Sequence, residues 1–195
     1  MKVSYLYPCV PNRLQADNPR LELIDKDPLW IAERKMNGWR CLVIRQETGE
    51  PILWTRHKTL IGFPVPEVRH DLAEMIPPCS IIDGEILEQR TKELKGIFYA
   101  FDVLLANDCL LTGRTWTERR KRLEQLVRPT EAVMLSEPIC VGKKRLYEIG
   151  IQEPGCEGIV LKHVKSLYTA GFRECLTNPL WIKVKKDEPH LRHRK

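Results

Sequence analysis

Short runs of Val, Ile and aromatic residues, many of them alternating with polar residues, recur along the chain. Alternation with a period of two predicts half-buried strands, and short runs rich in β-branched and aromatic residues also predict strands. On this basis eight strands are predicted, over residues 30–35, 40–46, 51–55, 80–87, 97–105, 133–140, 158–163 and 180–185.

Two other segments carry helix signals. Segment 66–76 opens with Pro66, which favours the first helical turn, and another proline follows its last residue. Segment 117–127 opens with Thr117 as a candidate N-cap and places its leucines on one face. A weaker helix is predicted over 143–152. Many strands, few helices and no regular βαβ alternation indicate an α+β fold of antiparallel β-sheets flanked by helices.

Composition narrows the class of protein. Of the 195 residues, 43% are hydrophobic and 30% charged, a mixture that excludes collagen and long disorder. The length predicts a single domain over 1–195, without an internal boundary. No uncharged apolar stretch approaches the ~18 residues of a membrane span, and the N-terminus has no apolar signal region. We therefore expect an intracellular, cytoplasmic protein that does not associate with membranes.

Positive charge is concentrated at the C-terminus. The chain has 32 Lys and Arg against 26 Asp and Glu, a formal charge of +6. The last thirteen residues carry six positive and two negative charges, and so supply +4 of that total. A basic tail over about 186–195 could follow the phosphates of a nucleic acid, although a solvated terminus has the same composition.

The cysteines and histidines do not predict a metal site. The seven cysteines are odd in number and include no C-x-x-C pair, which argues against structural zinc and against a disulfide framework. Most have apolar neighbours, so we expect small buried hydrophobic residues rather than nucleophiles. The five histidines lack metal-ligand spacing.

The first candidate for chemistry is Lys35, in the segment 33–40 (ERKMNGWR) just after a predicted strand. Neighbouring positive charge and partial desolvation lower the pKa of a lysine and free its amine for attack. Gly38 would let the backbone turn tightly. Taken alone, the same K-x-N-G sequence is more typical of a β-hairpin with an Asn-Gly turn and an exposed lysine.

Four further motifs follow Lys35 in order: DGE at 83–85, FYAFDVL at 98–104, EGIVLK at 157–162 and WIKVK at 181–185. This ordered series resembles that of the covalent nucleotidyltransferases, and in particular the adenylation domain of ATP-dependent polynucleotide ligases. The resemblance runs from about residue 30 to 186 and implies a nucleotidyltransferase, ATP-grasp-like ligase adenylation fold.

Two more stretches resemble DNA ligases rather than RNA ligases or capping enzymes. YTAGFR at 168–173 precedes WIKVK, and Glu118-Arg119-Arg120 opens a predicted helix after FDVL. The substrate implied by this resemblance is nicked double-stranded DNA.

The resemblance implies three catalytic residues. Lys35 would attack the α-phosphorus of ATP and hold AMP as a phosphoramide. Lys183 and Lys185 alternate with Val184 on a strand and so share a face, where they would neutralise the α-phosphate and help to keep Lys35 deprotonated.

Other motif residues are implied to bind the nucleotide. Glu33 would meet the adenine amino group, Phe101 would pack on the adenine face, and Glu85 would lie near the ribose. Arg40 and Arg56 would meet the ribose and phosphates through their planar donor groups. Lys183 and Lys185 complete this set.

The resemblance also implies Mg²⁺, with Glu157 as its main ligand and Glu85 as a second candidate. Each motif residue taken singly has a plain structural alternative. Phe101 could be core, the carboxylates could lie on the surface, and the lysines could form the polar side of an edge strand. Asp102 is assigned to structure.

Two departures from the family pattern keep alternatives open. Asn37 stands where the family usually has aspartate, which removes a negative charge beside the nucleophile. The chain ends ten residues after Lys185, too few for the oligonucleotide-binding barrel that usually follows in DNA ligases. We expect a monomeric adenylation domain whose tail, or a partner protein, holds the nick. An RNA ligase of the same superfamily and a non-catalytic nucleic-acid-binding relative remain alternatives.

Overall fold

The computed structural model describes residues 3–89 and 95–186, so all of the predicted tail except Lys186 lies outside the described residues. The helices are α1 (Arg20–Lys26), α2 (Pro66–Met75), α3 (Trp116–Leu126) and α4 (Lys143–Gly150). The strands are β1 (Val10–Leu14), β2 (Trp30–Met36), β3 (Trp39–Arg45), β4 (Ile52–Thr55), β5 (Ser80–Gln89), β6 (Lys95–Ala106), β7 (Cys109–Leu110), β8 (Val133–Leu135), β9 (Cys156–His163) and β10 (Thr177–Lys185).

The strands form two sheets. The smaller sheet has the order β1-β10-β9-β2, and the larger has the order β4-β3-β5-β6-β7, with β8 paired to β6. The predicted α+β fold is confirmed, and most strand pairs are antiparallel as expected. The pairs β1 with β10 and β6 with β8 are parallel.

The apolar residues of each strand alternate between two faces, and this alternation positions the sheets. Val43 and Phe98 pack on the outer face of the larger sheet with residues of α2 and α3. Ile182 and Val184 pack on the outer face of the smaller sheet with residues of α1 and α4. Between the sheets, Trp181 packs with apolar residues of β3, β5 and β6. The two inner faces therefore face each other.

The predicted elements are present, with differences in the strand predicted over 133–140 and in the N-cap of the helix α3. The strand predicted over 133–140 ends at Leu135, and Ile139 makes only an isolated bridge to Ala32. The N-cap of α3 is Thr115, which forms a capping box with Glu118. The Thr117 hydroxyl, predicted to cap, donates instead to the Val164 carbonyl at 3.2 Å.

Three elements were not predicted: α1, β1 and β7. Helix α1 has only seven residues and begins just after Pro19. Strand β1 contains Pro11, which normally argues against a central strand, and it lies at the edge of its sheet. Its extended conformation is secured by pairing with β10, which the local sequence does not reveal.

The hairpin alternative for the K-x-N-G segment is wrong. Strands β2 and β3 belong to different sheets and do not pair, so residues 37 and 38 carry the chain from one sheet to the other. The reason for glycine is also not a tight turn, because the φ of Gly38 is not positive. A Cβ at this position would lie 2.4 Å from the Ile86 carbonyl oxygen, so Gly38 is needed for close approach to β5.

The assignment of Asp102 to structure agrees with its contacts. Its carboxylate accepts from Arg119 at 2.7 and 3.0 Å, and both side chains are almost wholly buried. Arg119 also donates to the carbonyls of Arg114 and Ser166, at 2.6 and 3.0 Å. The E-R-R stretch therefore fastens α3 to β6 and to the loop that precedes β10.

The expectation for the cysteines holds only in part. Cys9, Cys41 and Cys79 are buried, whereas Cys109 and Cys140 are exposed. Cys140 has apolar neighbours in sequence but lies in an irregular surface segment, where alternation does not decide burial. None of the described helices is long and apolar enough to cross a membrane.

Gly158 in β9 lies so close to the backbone of the neighbouring strand β10 that there is no room for a side chain. Its φ is +149°, and an added Cβ would lie 2.0 Å from the Val184 carbonyl oxygen. A strained φ and an overpacked site each cost about 1–3 kcal/mol. We therefore expect Gly158→Ala to lower the free energy of unfolding by at least about 2 kcal/mol, measured by urea denaturation. Gly113→Ala is the matched control, because Gly113 is exposed with open space around it. Equal losses in both variants would contradict this prediction.

Candidate active site

A cleft of about 760 Å³ opens between the two sheets. Its lining includes every residue that the sequence analysis assigned to catalysis, nucleotide binding or metal binding: Glu33, Lys35, Arg40, Arg56, Glu85, Phe101, Glu157, Lys183 and Lys185. These residues come from six strands and one loop that are separated by up to about 150 positions in the chain. Their roles stay predictions, but their convergence in one cleft is a property of the fold.

Strand register explains how the lysines come together. Lys35 on β2 and Lys185 on β10 both lie opposite Gly158 on the central strand β9. Lys183 precedes Lys185 by two positions and shares its face, as predicted, while Val184 points into the core on the other side. Glu157 lies next to Gly158 and reaches the two lysines opposite it.

One carboxylate is shared by two lysines. The Lys35 amine pairs with Glu157 Oε1, and the Lys185 amine lies 2.8 Å from Glu157 Oε2. Burial raises the pKa of the Glu157 carboxyl, but the charges and hydrogen bonds of the two lysines lower it by more, so the net pKa lies below the ordinary value. Glu157 is therefore an ionised carboxylate at neutral pH.

The cluster keeps an excess of positive charge. Burial lowers the pKa of Lys183, and the charges of Lys185, Lys35, Arg13 and Arg56 lower it further. Three lysines around a single carboxylate favour the binding of an anion, and a phosphate group would relieve their mutual repulsion.

Glu33 lies deeper in the cleft and is only 3% exposed. Its Oε2 pairs with the Lys162 amine at 2.7 Å. Its Oε1 is buried, and none of the described residues gives it a hydrogen bond. Because buried acceptors are nearly always paired, this oxygen is expected to take a hydrogen bond from a bound water or a ligand. An adenine amino group fits this requirement.

Arg40 is partly buried, with 17% of its side chain exposed. Its guanidinium donates to both oxygens of Asp83, at 2.6 and 2.5 Å, and lies 4.5 Å from the centroid of the Phe101 ring. Burial lowers its pKa, but the charges of Asp83 and Tyr168 raise it to well above the ordinary value. The Tyr168 hydroxyl also donates to Asp83. Arg40 thus forms part of the wall around Phe101.

Glu85 and Arg56 occupy contrasting positions. Glu85 Oε1 accepts from the Gly38 amide at 3.0 Å. Burial raises the pKa of Glu85 above its ordinary value, although the charges of Lys35 and Arg40 act in the opposite direction. Arg56 is exposed and donates to the His57 ring at 3.0 Å.

The two predicted metal ligands provide a sparse donor set. Among residues 3–89 and 95–186, no three His, Cys, Asp or Glu side chains form a group that could hold a metal ion. Mg²⁺ bound to a nucleotide usually needs only one or two carboxylates, because phosphate oxygens and water supply its other ligands. Glu157 and Glu85 fit that pattern, and they would hold the ion together with a polyphosphate.

Three residues that contact the predicted site residues, or one another, were not predicted from the sequence: Asp83, Lys162 and Tyr168. Asp83, Lys162 and Tyr168 all lie within the segments that carry the family resemblance, without a predicted role. The available signal was a charged side chain within an apolar strand, as in IIDGEIL and GIVLKH. Such a residue is seldom buried unless it is paired.

The raised pKa of Glu85 predicts how stability depends on pH. An acid whose folded pKa lies above its unfolded value costs stability once pH exceeds the unfolded value of about 4.5. Glu85→Gln keeps the acceptor for Gly38 and removes this ionisation. We expect the variant to gain stability relative to the wild type as pH rises from 4 to 8, measured by urea denaturation. Glu88→Gln, an exposed change on the same strand, is the control. A wild-type advantage that grows with pH would contradict the prediction.

Comparison with known proteins agrees with this geometry. The family model described as "ATP dependent DNA ligase domain" matches residues 87–185. A probable DNA ligase of Persephonella marina is 38% identical over 191 residues, which cover 82% of this chain and 32% of that protein. DNA ligase 2 of Korarchaeum cryptofilum is 27% identical over 209 residues, which cover 92% of this chain and 34% of that protein.

A solved structure of mycobacterial DNA ligase D complexed with ATP and MES has the same fold. The TM-score is 0.67 at 24% identity, and the match covers 92% of this chain and 60% of that one. The chain spans about a third of the length of the curated relatives given above. By its match to the family model over residues 87–185, the chain belongs to the ATP-dependent DNA ligase domain family.

Proposed function

We propose that this domain carries out the adenylation chemistry of an ATP-dependent DNA ligase. The Lys35 amine attacks the α-phosphorus of ATP, a P–N bond forms, and the bond to the bridging oxygen of pyrophosphate breaks. The observation that carries this proposal is the placement of Lys35 in the cleft, among Glu157, Lys183 and Lys185. Lys35 also shares a strand with Glu33, whose buried Oε1 has no hydrogen bond from the described residues.

Lys35 must lose a proton before it attacks. The Glu157 carboxylate contacts its amine and is placed to accept that proton, while Lys185 holds the other carboxylate oxygen. The positive charges of Lys183 and Lys185 would stabilise the charge that develops on the α-phosphate. Mg²⁺ bound by Glu157 and Glu85 would neutralise phosphate charge.

The nucleoside end of the cleft suits adenosine. Glu33 Oε1 would accept a hydrogen bond from the adenine amino group, and Phe101 would provide an apolar wall beside the base. Glu85 would lie near the ribose. Arg40 is fixed by Asp83 and contributes positive charge behind Phe101. Arg56, exposed at the mouth, is the arginine better placed to meet phosphates.

In the later steps, AMP passes from Lys35 to the 5′-phosphate at a nick in double-stranded DNA, and the 3′-hydroxyl then displaces AMP. The match to the ATP-dependent DNA ligase domain family supports this assignment, as do relatives that are themselves named DNA ligases. The cations at the mouth of the cleft would face DNA phosphates, so binding should weaken steeply as salt rises. We further propose that the domain acts as a monomer, with a partner domain or protein helping to hold the nick.

The adenylation step can be tested directly. We expect the wild-type protein, incubated with α-labelled ATP and Mg²⁺, to gain the mass of one AMP and a covalent label. Lys35→Ala should form no detectable adduct, because the only nucleophile proposed is removed. Lys165→Ala, an exposed lysine near the end of β9, should match the wild type. A label that persists in Lys35→Ala would contradict the role of Lys35.

The substrate is tested by offering nicked DNA and nicked RNA duplexes, each with and without a preformed 5′-adenylate. Sealing of DNA in preference to RNA supports the proposal, and the opposite preference favours an RNA ligase. Salt-dependent binding that is unaffected by Lys35→Ala, without adduct or sealing, would favour the non-catalytic alternative.

A further inference from the structure

Lys162 makes a buried ion pair to which the proposed chemistry gives no role. Its side chain is 2% exposed, and its amine lies 2.7 Å from Glu33 Oε2 and 3.3 Å from the Phe101 carbonyl oxygen. Lys162 does not contact the Lys35 cluster through any of the ion pairs among the described residues. Its position therefore points to a task at the nucleoside end of the cleft.

Two aromatic rings fix the Lys162 ammonium in place. It lies 4.8 Å from the centroid of Phe101 and 4.3 Å from that of Trp181. Ring faces attract cations, and the effect is stronger in buried surroundings. Trp181 is itself held, because its indole nitrogen donates to the Ser166 hydroxyl at 3.0 Å. Within the described part of the chain, Glu33 is the one carboxylate that forms an ion pair with Lys162.

This arrangement determines what Glu33 can offer to a ligand. An ionised carboxylate only accepts hydrogen bonds, whereas a protonated one can also donate. The Lys162 ammonium can only donate, and it lies 2.7 Å from Oε2 and so takes that oxygen as its acceptor. Because Lys162 occupies Oε2, the buried Oε1 is the carboxylate oxygen left without a hydrogen bond from the described residues.

We infer that Lys162 is a positioning residue for nucleobase selection. It keeps Glu33 an acceptor and aims one oxygen at the ligand, so that purines with an amino group at position 6 are bound and 6-oxopurines are rejected. A 6-oxopurine would bring an acceptor to another buried acceptor, which leaves both unpaired. The inference rests on the proposed function, since it requires a purine nucleotide in this cleft.

The test compares ATP with inosine triphosphate on the full chain. Binding is measured by calorimetry without Mg²⁺, and adduct formation is measured with Mg²⁺. We expect the wild type to prefer ATP by at least about tenfold. In Lys162→Met this preference should fall by about tenfold, through a higher KM for ATP with kcat little changed. Lys162→Arg should restore much of the preference, and Lys165→Met should leave it unchanged.

Lys162→Met leaves the buried Glu33 carboxylate without its cation, and this could prevent folding. A second variant therefore tests the same inference without an unpaired buried charge. The double change Glu33→Gln with Lys162→Met replaces the charged pair with neutral side chains. The amide of the introduced glutamine can present either an acceptor or a donor. We therefore expect the double variant to bind ATP and inosine triphosphate with similar affinity. Thermal unfolding of each variant reports whether it is folded.

The outcomes separate this inference from the proposed function. Folded variants that keep the wild-type preference, or that lose kcat at unchanged KM, would overturn the role of Lys162. A wild type that binds ATP selectively without forming an adduct would overturn the proposed chemistry alone, and the binding ratios would still decide the role of Lys162. A wild type that binds neither nucleotide would overturn both.

Discussion

The close approach of β9 and β10 at Gly158 is the constraint on which the candidate site depends. Only a residue without a side chain can lie there, since a Cβ would meet the Val184 carbonyl oxygen at 2.0 Å. Both Lys35 and Lys185 lie opposite this glycine, on the two strands that flank β9. Glu157 comes immediately before it and bridges the two amines. The lysine cluster is thus a result of strand register around one glycine.

Ion pairs also line the cleft around this cluster, and they are not needed for the stability of the fold. Arg40 with Asp83 and Lys162 with Glu33 are buried charged pairs, and burying a pair costs desolvation energy that its attraction often fails to recover. What such pairs supply is geometry. Arg40 and Lys162 both lie against Phe101, so two cations and an aromatic ring are fixed relative to one another. These contacts therefore set the positions of the charged and aromatic groups that a bound nucleotide would meet.

Much of this could be predicted from the sequence, because strand alternation and ordered motifs are local signals. The alternation of Lys183, Val184 and Lys185 gave the face of each side chain, and the family resemblance gave nine of the residues that line the cleft. The partners of those residues could not be predicted. Asp83 and Lys162 act through residues more than 40 positions away, and only the packing of the two sheets brings them together. Strand β1 was missed for the same reason, because its conformation comes from β10 rather than from its own sequence.

The charge balance of the cluster connects the fold with the proposed reaction. Glu157 is ionised and pairs with the amines of Lys35 and Lys185. The same pairing holds Lys35, the proposed nucleophile, in an ion pair. The phosphates of ATP would compete for the same cations, and Lys183, with its lowered pKa, adds a cation for them to bind. As phosphates take over Lys183 and Lys185, Glu157 becomes able to accept the proton of Lys35 or to bind a metal ion. In the proposed reaction the substrate therefore helps to release the base that activates its own nucleophile.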